Sequence, residues 1–304
     1  MSGVRIQLIL HHSSTPIQTV IRFMQFIEPI ADMRVWSEGE RRQGRRIVFV
    51  PTMGSLHEGH LCLVRDAKTR GERVVVSIFV NPMQFGPSED FAKYPRDLER
   101  DRALLESLGS DVLFHPTVAE IYPDGYQTHI EVENLSLPLC GTARPGHFRG
   151  VATVVAKLFN IVRPHVAIFG EKDFQQLQMV RRLVRDLSMD IEIVGHPIVR
   201  EADGLAMSSR NAYLTAEERR AAVCLSRALC QAEKRVRRGE TCAAALLHVV
   251  FAELGQEPLA QVEYAKLCDA DSLQEIDRVQ GTAVLALAVR FGRARLIDNR
   301  VIKN

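Results

Sequence analysis

The sequence predicts an α/β chain, with a parallel sheet and helical crossovers over residues 1–198 and a smaller α+β domain over residues 199–304. Three observations carry this. Short β-branched runs alternate with amphipathic segments through the first two thirds of the chain. Two of those runs end in turns rich in imidazole or charge, where a parallel sheet opens its ligand crevice. After residue 198 two helical segments precede three strand-like runs joined by short links. At 304 residues the chain is also long for a single core.

The elements follow in order. Residues 1–18 read as a flexible extension. With no acidic residue before Glu28, and with Arg5, Arg22 and Ser13-Ser14, they have some transit-peptide character but no secretory core. Residues 17–35 have helix-compatible spacing interrupted at Pro29, and residues 38–46, with four arginines, read as a solvated connector. Residues 46–50 form the first buried strand, a turn follows over 51–60, and 61–68 begin a helix. A second strand spans 73–80, and Pro82 and Gly86 make 81–86 a loop. Residues 98–108 form an amphipathic helix closed by Gly109, and 111–114 a third strand. The Gly/Pro-rich stretch 138–150 is loop, and 151–162 a helix buried along one face. A fourth strand, 166–169, leads into Gly170-Glu171-Lys172-Asp173, then comes a helix over 174–187 and a fifth strand over 191–194. In the second domain Thr215 and Glu218 form a capping box for one long helix to Arg238, ended by Gly239. A helix over 242–254 and strands over 261–267, 282–291 and 295–302 complete it.

Composition narrows the function classes. Hydrophobic residues at 46% and charged residues at 25% are ordinary for a globular protein, and a net charge of +2 argues against a nucleic-acid coat. No apolar run reaches the roughly eighteen residues of a membrane span. Six cysteines without C-x-x-C spacing read as reduced thiols of a cytoplasmic protein.

The chemistry centres on Met53-Gly54-Ser55-Leu56-His57-Glu58-Gly59-His60. A turn from strand to helix offers backbone N–H groups and a helix dipole to phosphate, and histidines three apart share one side of the first helical turn. Gly54 and Gly59 permit the backbone geometry and a close ligand approach. A zinc site is disfavoured, since the metalloprotease pattern spaces its histidines four apart. Neither a Walker sequence nor a G-x-G-x-x-G fingerprint is present, so phosphate is bound in another way. Lys172 and Asp173 on another strand end, with Met207-Ser208-Ser209-Arg210-Asn211, complete a nucleotide site only in conjunction with the histidine turn.

These stretches resemble the pantothenate synthetase family, ligases that join pantoate to β-alanine with ATP and belong with the HxGH nucleotidylyltransferases. The likeness runs from about Thr19 to near the C-terminus. It includes Val80-Asn81-Pro82-Met83-Gln84-Phe85 as a substrate loop, Arg144-Pro145-Gly146-His147-Phe148, and Gly170-Glu171-Lys172-Asp173-Phe174-Gln175-Gln176. It implies a Rossmann-like first domain that pairs into a homodimer, and two steps: pantoate carboxylate displaces pyrophosphate from ATP, then β-alanine releases AMP from the adenylate.

By the same resemblance His57, His60 and Lys172 are catalytic, with His60 the proton donor. Residues 53–60 and 170–173, Met207, Ser208, Ser209 and Arg210 hold ATP, with Gly170 and Asp173 at the ribose and Val199 at the adenine. Gln84 and Gln176 hold the acid, and Mg²⁺ rides mainly on the nucleotide phosphates, with Asp101 as the matching acidic residue. Two alternatives stand beside this: another adenylyl transferase of the same superfamily, and a non-catalytic nucleotide-binding regulator. Because one nucleotide must be touched from both domains, the second reads as a lid hinged near residues 197–203.

Overall fold

The computed structural model describes residues 23–86, 89 and 91–303; the extension expected over residues 1–18 lies outside them. Its main sheet has six parallel strands, β1 (Gln25–Ile27), β2 (Ile47–Thr52), β3 (Arg73–Ile78), β4 (Val112–Phe114), β5 (Val166–Gly170) and β6 (Glu192–His196), in the order β1-β4-β3-β2-β5-β6. The helices between them are α1 (Ile30–Arg42), α2 (Glu58–Arg70), α3 (Leu98–Ser107), α4 (Val118–Ile121), α5 (Cys140–Ala143), α6 (His147–Val162) and α7 (Phe174–Asp186).

Strand periodicity divides the core into two faces. Phe49, Val75 and Phe114 point to one face and pack on α1, α6 and α7 through Met33, Val155 and Leu177. Their neighbours Val48, Val50, Val74 and Val76 point to the other and meet Leu61, Val64 and Ala67 of α2 and Leu105 of α3. Each such side chain stabilises the fold by about 1.5–3 kcal/mol on burial.

Five parallel strands are expected from the sequence and six are present, because β1 is three residues long and too short to read as a run. It pairs with β4 at the sheet edge, Phe26 opposite Leu113. Pro29 starts a helix here rather than interrupting one: it is the N-cap of α1. That helix also takes in much of the supposed connector, since Arg41 and Arg42 form its last turn, where cations suit the helix dipole. The 138–150 stretch contains α5 and the start of α6. In α6, 12 of 16 residues are buried, on more than one face. Ile130 and Val132 pack against it, and the Ile130 N–H donates to Thr153 Oγ1 at 3.0 Å.

The second sheet is antiparallel, β7 (Gln261–Asp269), β8 (Thr282–Phe291) and β9 (Ala294–Lys303) in that order. The long helix expected over 215–238 is two helices, α8 (Ala216–Ala221) and α9 (Cys224–Val236). A three-residue bond from Leu225 N–H to the Ala222 carbonyl tightens the chain between them, and Arg219 of α8 is tied to Glu201 and Asp203. The Thr215–Glu218 capping box is formed. Helix α10 (Ala243–Leu254) packs beside α9. On β8, Ala283, Leu285, Leu287 and Val289 face these helices, whereas Val284 and Ala286 face Leu135, Leu139 and Phe174 of the first layer. Both faces of this small sheet are therefore buried, and one of them joins the two parts of the chain.

Candidate active site

Strand order places the chemistry. From β2 the chain moves to β3 on one side, and later returns to lay β5 on the other. The turn after β2 and the turn after β5 therefore flank a topological switch point, where an open α/β sheet leaves a crevice. One turn carries His57 and His60, the other Lys172.

The histidine turn is held from within. Gly54 and Ser55 have φ of 78° and 52°, and the Gly54 N–H donates to Thr52 Oγ1. The Asp101 carboxylate, 1% exposed, accepts from Ser55 N–H at 2.7 Å and Leu56 N–H at 2.8 Å. His57 is the N-cap of α2: its Nδ1 accepts from Gly59 N–H at 3.2 Å, and His60 Nδ1 accepts from His57 N–H at 3.4 Å. This corrects the expectation of free backbone donors, since the amides of Gly54, Ser55, Leu56, His57 and Gly59 are spent inside the turn. It leaves each imidazole with its proton on Nε2. The two rings lie against each other, centroids 4.1 Å apart and tilted by 39°. Gly59 is required by a ring rather than a ligand, because a Cβ there would lie 2.9 Å from His57 Nδ1.

Burial, reinforced by the nearby Lys172 ammonium, pushes the His57 pKa down to about 4. Burial, then His57 and Lys172, pushes His60 down to about 3. Both rings are thus neutral N–H donors at pH 7.

Lys172 sits in a three-residue 3₁₀ turn (Glu171–Asp173), its Nζ 3.9 Å from Asp173. The Met207–Arg210 loop follows β6: Met207 N–H donates to the Val199 carbonyl at 3.0 Å, and Ser208 caps the 3₁₀ turn Ser209–Tyr213. A cavity of about 230 Å³ brings these parts together. Met53, His57 and His60 line it together with Gly170, Lys172, Asp173 and Gln176, with Gln84, and with Val199 and Met207 to Arg210. Gly54, Ser55, Leu56, Glu58 and Glu171, also expected at ATP, are not on its wall. The first three shape the turn, and Glu58 is ion-paired with Arg65 along α2. The Glu171 carbonyl faces β9.

Gln84 is buried, at 8% exposure, not a surface glutamine. Asn81 Nδ2 donates to its Oε1 at 3.2 Å and to the Gly150 carbonyl at 3.1 Å, while Tyr122 donates its hydroxyl proton to Asn81 Oδ1 at 2.9 Å. With Oε1 so engaged, the Gln84 amide presents Nε2 toward Met53 Sδ and the cavity. His147 Nδ1 donates to the Gln84 carbonyl at 2.8 Å, and Arg144 forks onto Glu89 at 2.6 and 2.7 Å. Burial, then Arg144, lowers the His147 pKa to about 4, so this ring too is neutral. Gly150 allows α6 to lie against the loop, because a Cβ would meet the Met83 carbonyl oxygen at 2.2 Å. Asn81, Arg144 and His147 stand inside motifs quoted above, but no role follows from sequence, since each acts through a contact 60 to 69 residues away.

A larger cavity, about 660 Å³, shares walls with the first at Arg144, Lys172, Gln176 and Arg210, and is also lined by Arg290 and Arg295 of the second sheet and Arg293 of the turn between β8 and β9. No group of three or more histidine, cysteine, aspartate or glutamate side chains that could hold a metal occurs among the described residues. Asp101 does not fit a ligand role, since both its oxygens accept turn amides and it is closed to solvent. What the arrangement offers is a ring of neutral N–H donors, one ammonium and hydroxyl and guanidinium groups around a space sized for a phosphorylated ligand, with an amide-lined end for a small polar acid.

Comparison with known proteins finds relatives along most of the chain. The family model described as pantoate-beta-alanine ligase matches residues 25–301. The pantothenate synthetase of Syntrophotalea carbinolica is 55% identical over 279 residues, covering 92% of this chain and 99% of that protein. That of Heliobacterium modesticaldum is 56% identical over 280 residues, covering 92% and 100%. Among solved structures, pantothenate synthetase from Thermus thermophilus matches with a TM-score of 0.87 at 47% identity, covering 91% of this chain and 99% of that one. Pantoate-beta-alanine ligase from Francisella tularensis, complexed with β-γ ATP and β-alanine, matches with a TM-score of 0.76 at 35% identity, covering 91% and 97%.

Proposed function

The chain belongs to the pantoate–β-alanine ligase family, and from that premise we propose how its cleft carries out the family's reaction. It is an ATP-dependent ligase that condenses (R)-pantoate with β-alanine to pantothenate through a pantoyl adenylate. The observation that supports the site best is the convergence of His57, His60, Lys172, Gln84 and Gln176 on one cavity at the switch point.

ATP lies with its phosphates against the histidine turn, Lys172, Ser208, Ser209 and Arg210, its ribose by Gly170 and Asp173 and its adenine by Val199. Pantoate sits at the other end, its hydroxyls and carboxylate held by Gln84 Nε2 and the Gln176 amide, its gem-dimethyl groups on apolar wall. A pantoate carboxylate oxygen attacks the α-phosphorus and pyrophosphate leaves. Charge builds on the phosphate oxygens as it does so, and the preorganised Nε2–H groups and the Lys172 ammonium stabilise it. The β-alanine amine then attacks the acyl carbon, AMP leaves, and the amide forms.

A neutral His60 donates a hydrogen bond at rest. It becomes a proton donor only when bound phosphate charge raises its pKa again. Mg²⁺ belongs to the nucleotide in this scheme and would offset triphosphate charge, the described residues supplying no cage for it. The boundary between the two domains falls at residue 198, the first domain pairs into a homodimer, and the free state of all six cysteines supports a cytoplasmic location.

The test is ATP–pyrophosphate exchange with a panel of small hydroxy acids. Exchange that depends on pantoate supports the reading; exchange with another acid, or none with pantoate, overturns it.

A further inference from the structure

The turn that carries Lys172 is not held by the first domain alone. Three-residue 3₁₀ turns have few hydrogen bonds of their own, so their geometry is set by what they pack against. Here that is Asn299 on β9. Its Nδ2 gives both hydrogens to consecutive carbonyls of the turn, Glu171 and Lys172, at 2.9 Å each. Since both partners are acceptors, only the amide nitrogen fits there, and the orientation of Asn299 is fixed. The residue is 4% exposed, so water does not compete for the two carbonyls.

The contact is anchored in turn. Asn299 N–H donates to Asp298 Oδ1 at 2.8 Å, and Asp298 accepts a two-pronged pair from Arg200 at 2.7 and 2.8 Å. Arg200 also donates to the Gly204 carbonyl at 2.9 Å, at the base of the segment that leads to Met207 and Arg210. A single polar chain, buried at Asn299 and Asp298 and half-buried at Arg200, therefore links the Lys172 turn to the root of the loop that brings Arg210. A buried ion pair costs desolvation and contributes little net stability, so what it supplies here is position.

We propose that Asn299 is a positioning residue for adenylate formation: it sets the backbone from which Lys172 reaches the phosphates. This deepens the site reading above and rests on Lys172 meeting ATP. An error of about 1 Å at a reacting centre costs on the order of 10²-fold in rate, and loss of both bonds frees the turn to shift by such an amount.

The experiment measures pantoate-dependent ATP–pyrophosphate exchange, with melting temperatures, for Asn299→Leu, Asn299→Ser, Lys172→Ala and the Lys172→Ala/Asn299→Leu double variant. Asn299→Leu is expected to lower kcat by roughly 10²-fold with the KM for pantoate unchanged. Asn299→Ser, which keeps one donor and disturbs packing less, falls between it and the parent. In the Lys172→Ala background Asn299→Leu adds no further loss, because both act on one group. A merely structural role would lower the melting temperature, and its effect would multiply with that of Lys172→Ala. Normal kcat in a folded Asn299 variant, or multiplying losses, overturns the proposal and leaves the site reading standing. Undiminished exchange in Lys172→Ala overturns both.

Discussion

His57 and His60 cap one another's helix start. His57 Nδ1 takes the Gly59 N–H and His60 Nδ1 takes the His57 N–H, with the rings 4.1 Å apart. A proton added to either Nδ1 would break a cap, and protonating both would set two cations with ring centroids 4.1 Å apart. The same arrangement that aims two Nε2–H groups at the cavity therefore keeps both imidazoles neutral.

Stability should consequently fall with acid earlier than carboxylate titration explains. An unfolded histidine titrates near 6.5, whereas His57 and His147 are held down at about 4 and His60 at about 3, with His165 lowered by burial as well. Below 6.5 the unfolded chain binds protons that the folded chain does not, so the stability these groups contribute is fully present above 6.5 and is lost as pH falls. Each contributes at most ~1.4 kcal/mol per pH unit. Urea unfolding at pH 7, 6 and 5 reads this in a window above the carboxylates. A flat profile would contradict the neutral-histidine assignment.

Replacing His60 by alanine removes one aimed donor and one cap. Loss of a preorganised donor to a developing oxyanion costs roughly 10²–10³ in kcat, while loss of a cap costs about 1 kcal/mol of stability. His60→Ala should thus remain folded, and its pyrophosphate exchange should drop by that factor. Near-parental exchange would remove His60 from the reaction.

Gln84→Ala separates the two ligands. The amide whose Oε1 is tied to Asn81 can point only Nε2 at the acid, so its removal leaves a pantoate oxygen and Asn81 Nδ2 each short of a partner. An unpaired buried group costs ~1–3 kcal/mol, or roughly a 5- to 150-fold rise in the KM for pantoate at unchanged ATP affinity. Equal losses for both ligands would mean a collapsed loop instead.

Asp101 is predicted to matter for stability and not for metal. Asp101→Ala strands the Ser55 and Leu56 N–H groups, 2.7 and 2.8 Å from its oxygens, at ~1–3 kcal/mol for each group left unpaired. The Mg²⁺ concentration giving half-maximal exchange should not move in the milder Asp101→Asn. A marked rise there would restore Asp101 as a ligand.

The histidine turn, the Lys172 turn and Gln84 are visible in the sequence because each sits in a contiguous motif at a strand end, and parallel strand order brings such ends together. What the sequence hides is reciprocal. Nothing along the chain shows that Asp101 uses up the turn's amides from 45 residues away, or that Asn299 grips Lys172 from 127 away. Residues 25–27 escape as a strand because three residues carry no periodicity, and the break between α8 and α9 escapes because apolar spacing continues through it.

The lid remains to be tested, and the Asn299 contact constrains how it moves. Segment 200–206 is itself ordered: Arg200 bridges Ala206, Glu201 N–H donates to the Leu205 carbonyl at 2.8 Å, and Arg219 pairs with Glu201 and Asp203. A wide opening would strip two carbonyls of their buried amide and expose the Arg200–Asp298 pair. The motion compatible with these bonds is a rotation about the contact between β9 and the Lys172 turn, swinging the Met207–Arg210 loop over the phosphates. Closure of this kind protects an acyl adenylate from water. Scattering with and without a non-hydrolysable adenylate analogue should show compaction at constant mass, while hydrogen exchange at Asn299 and Lys172 stays slow in both states. Exchange that quickens at Asn299 in the free protein would mean the domains part at β9, and no compaction at all would rule out the lid.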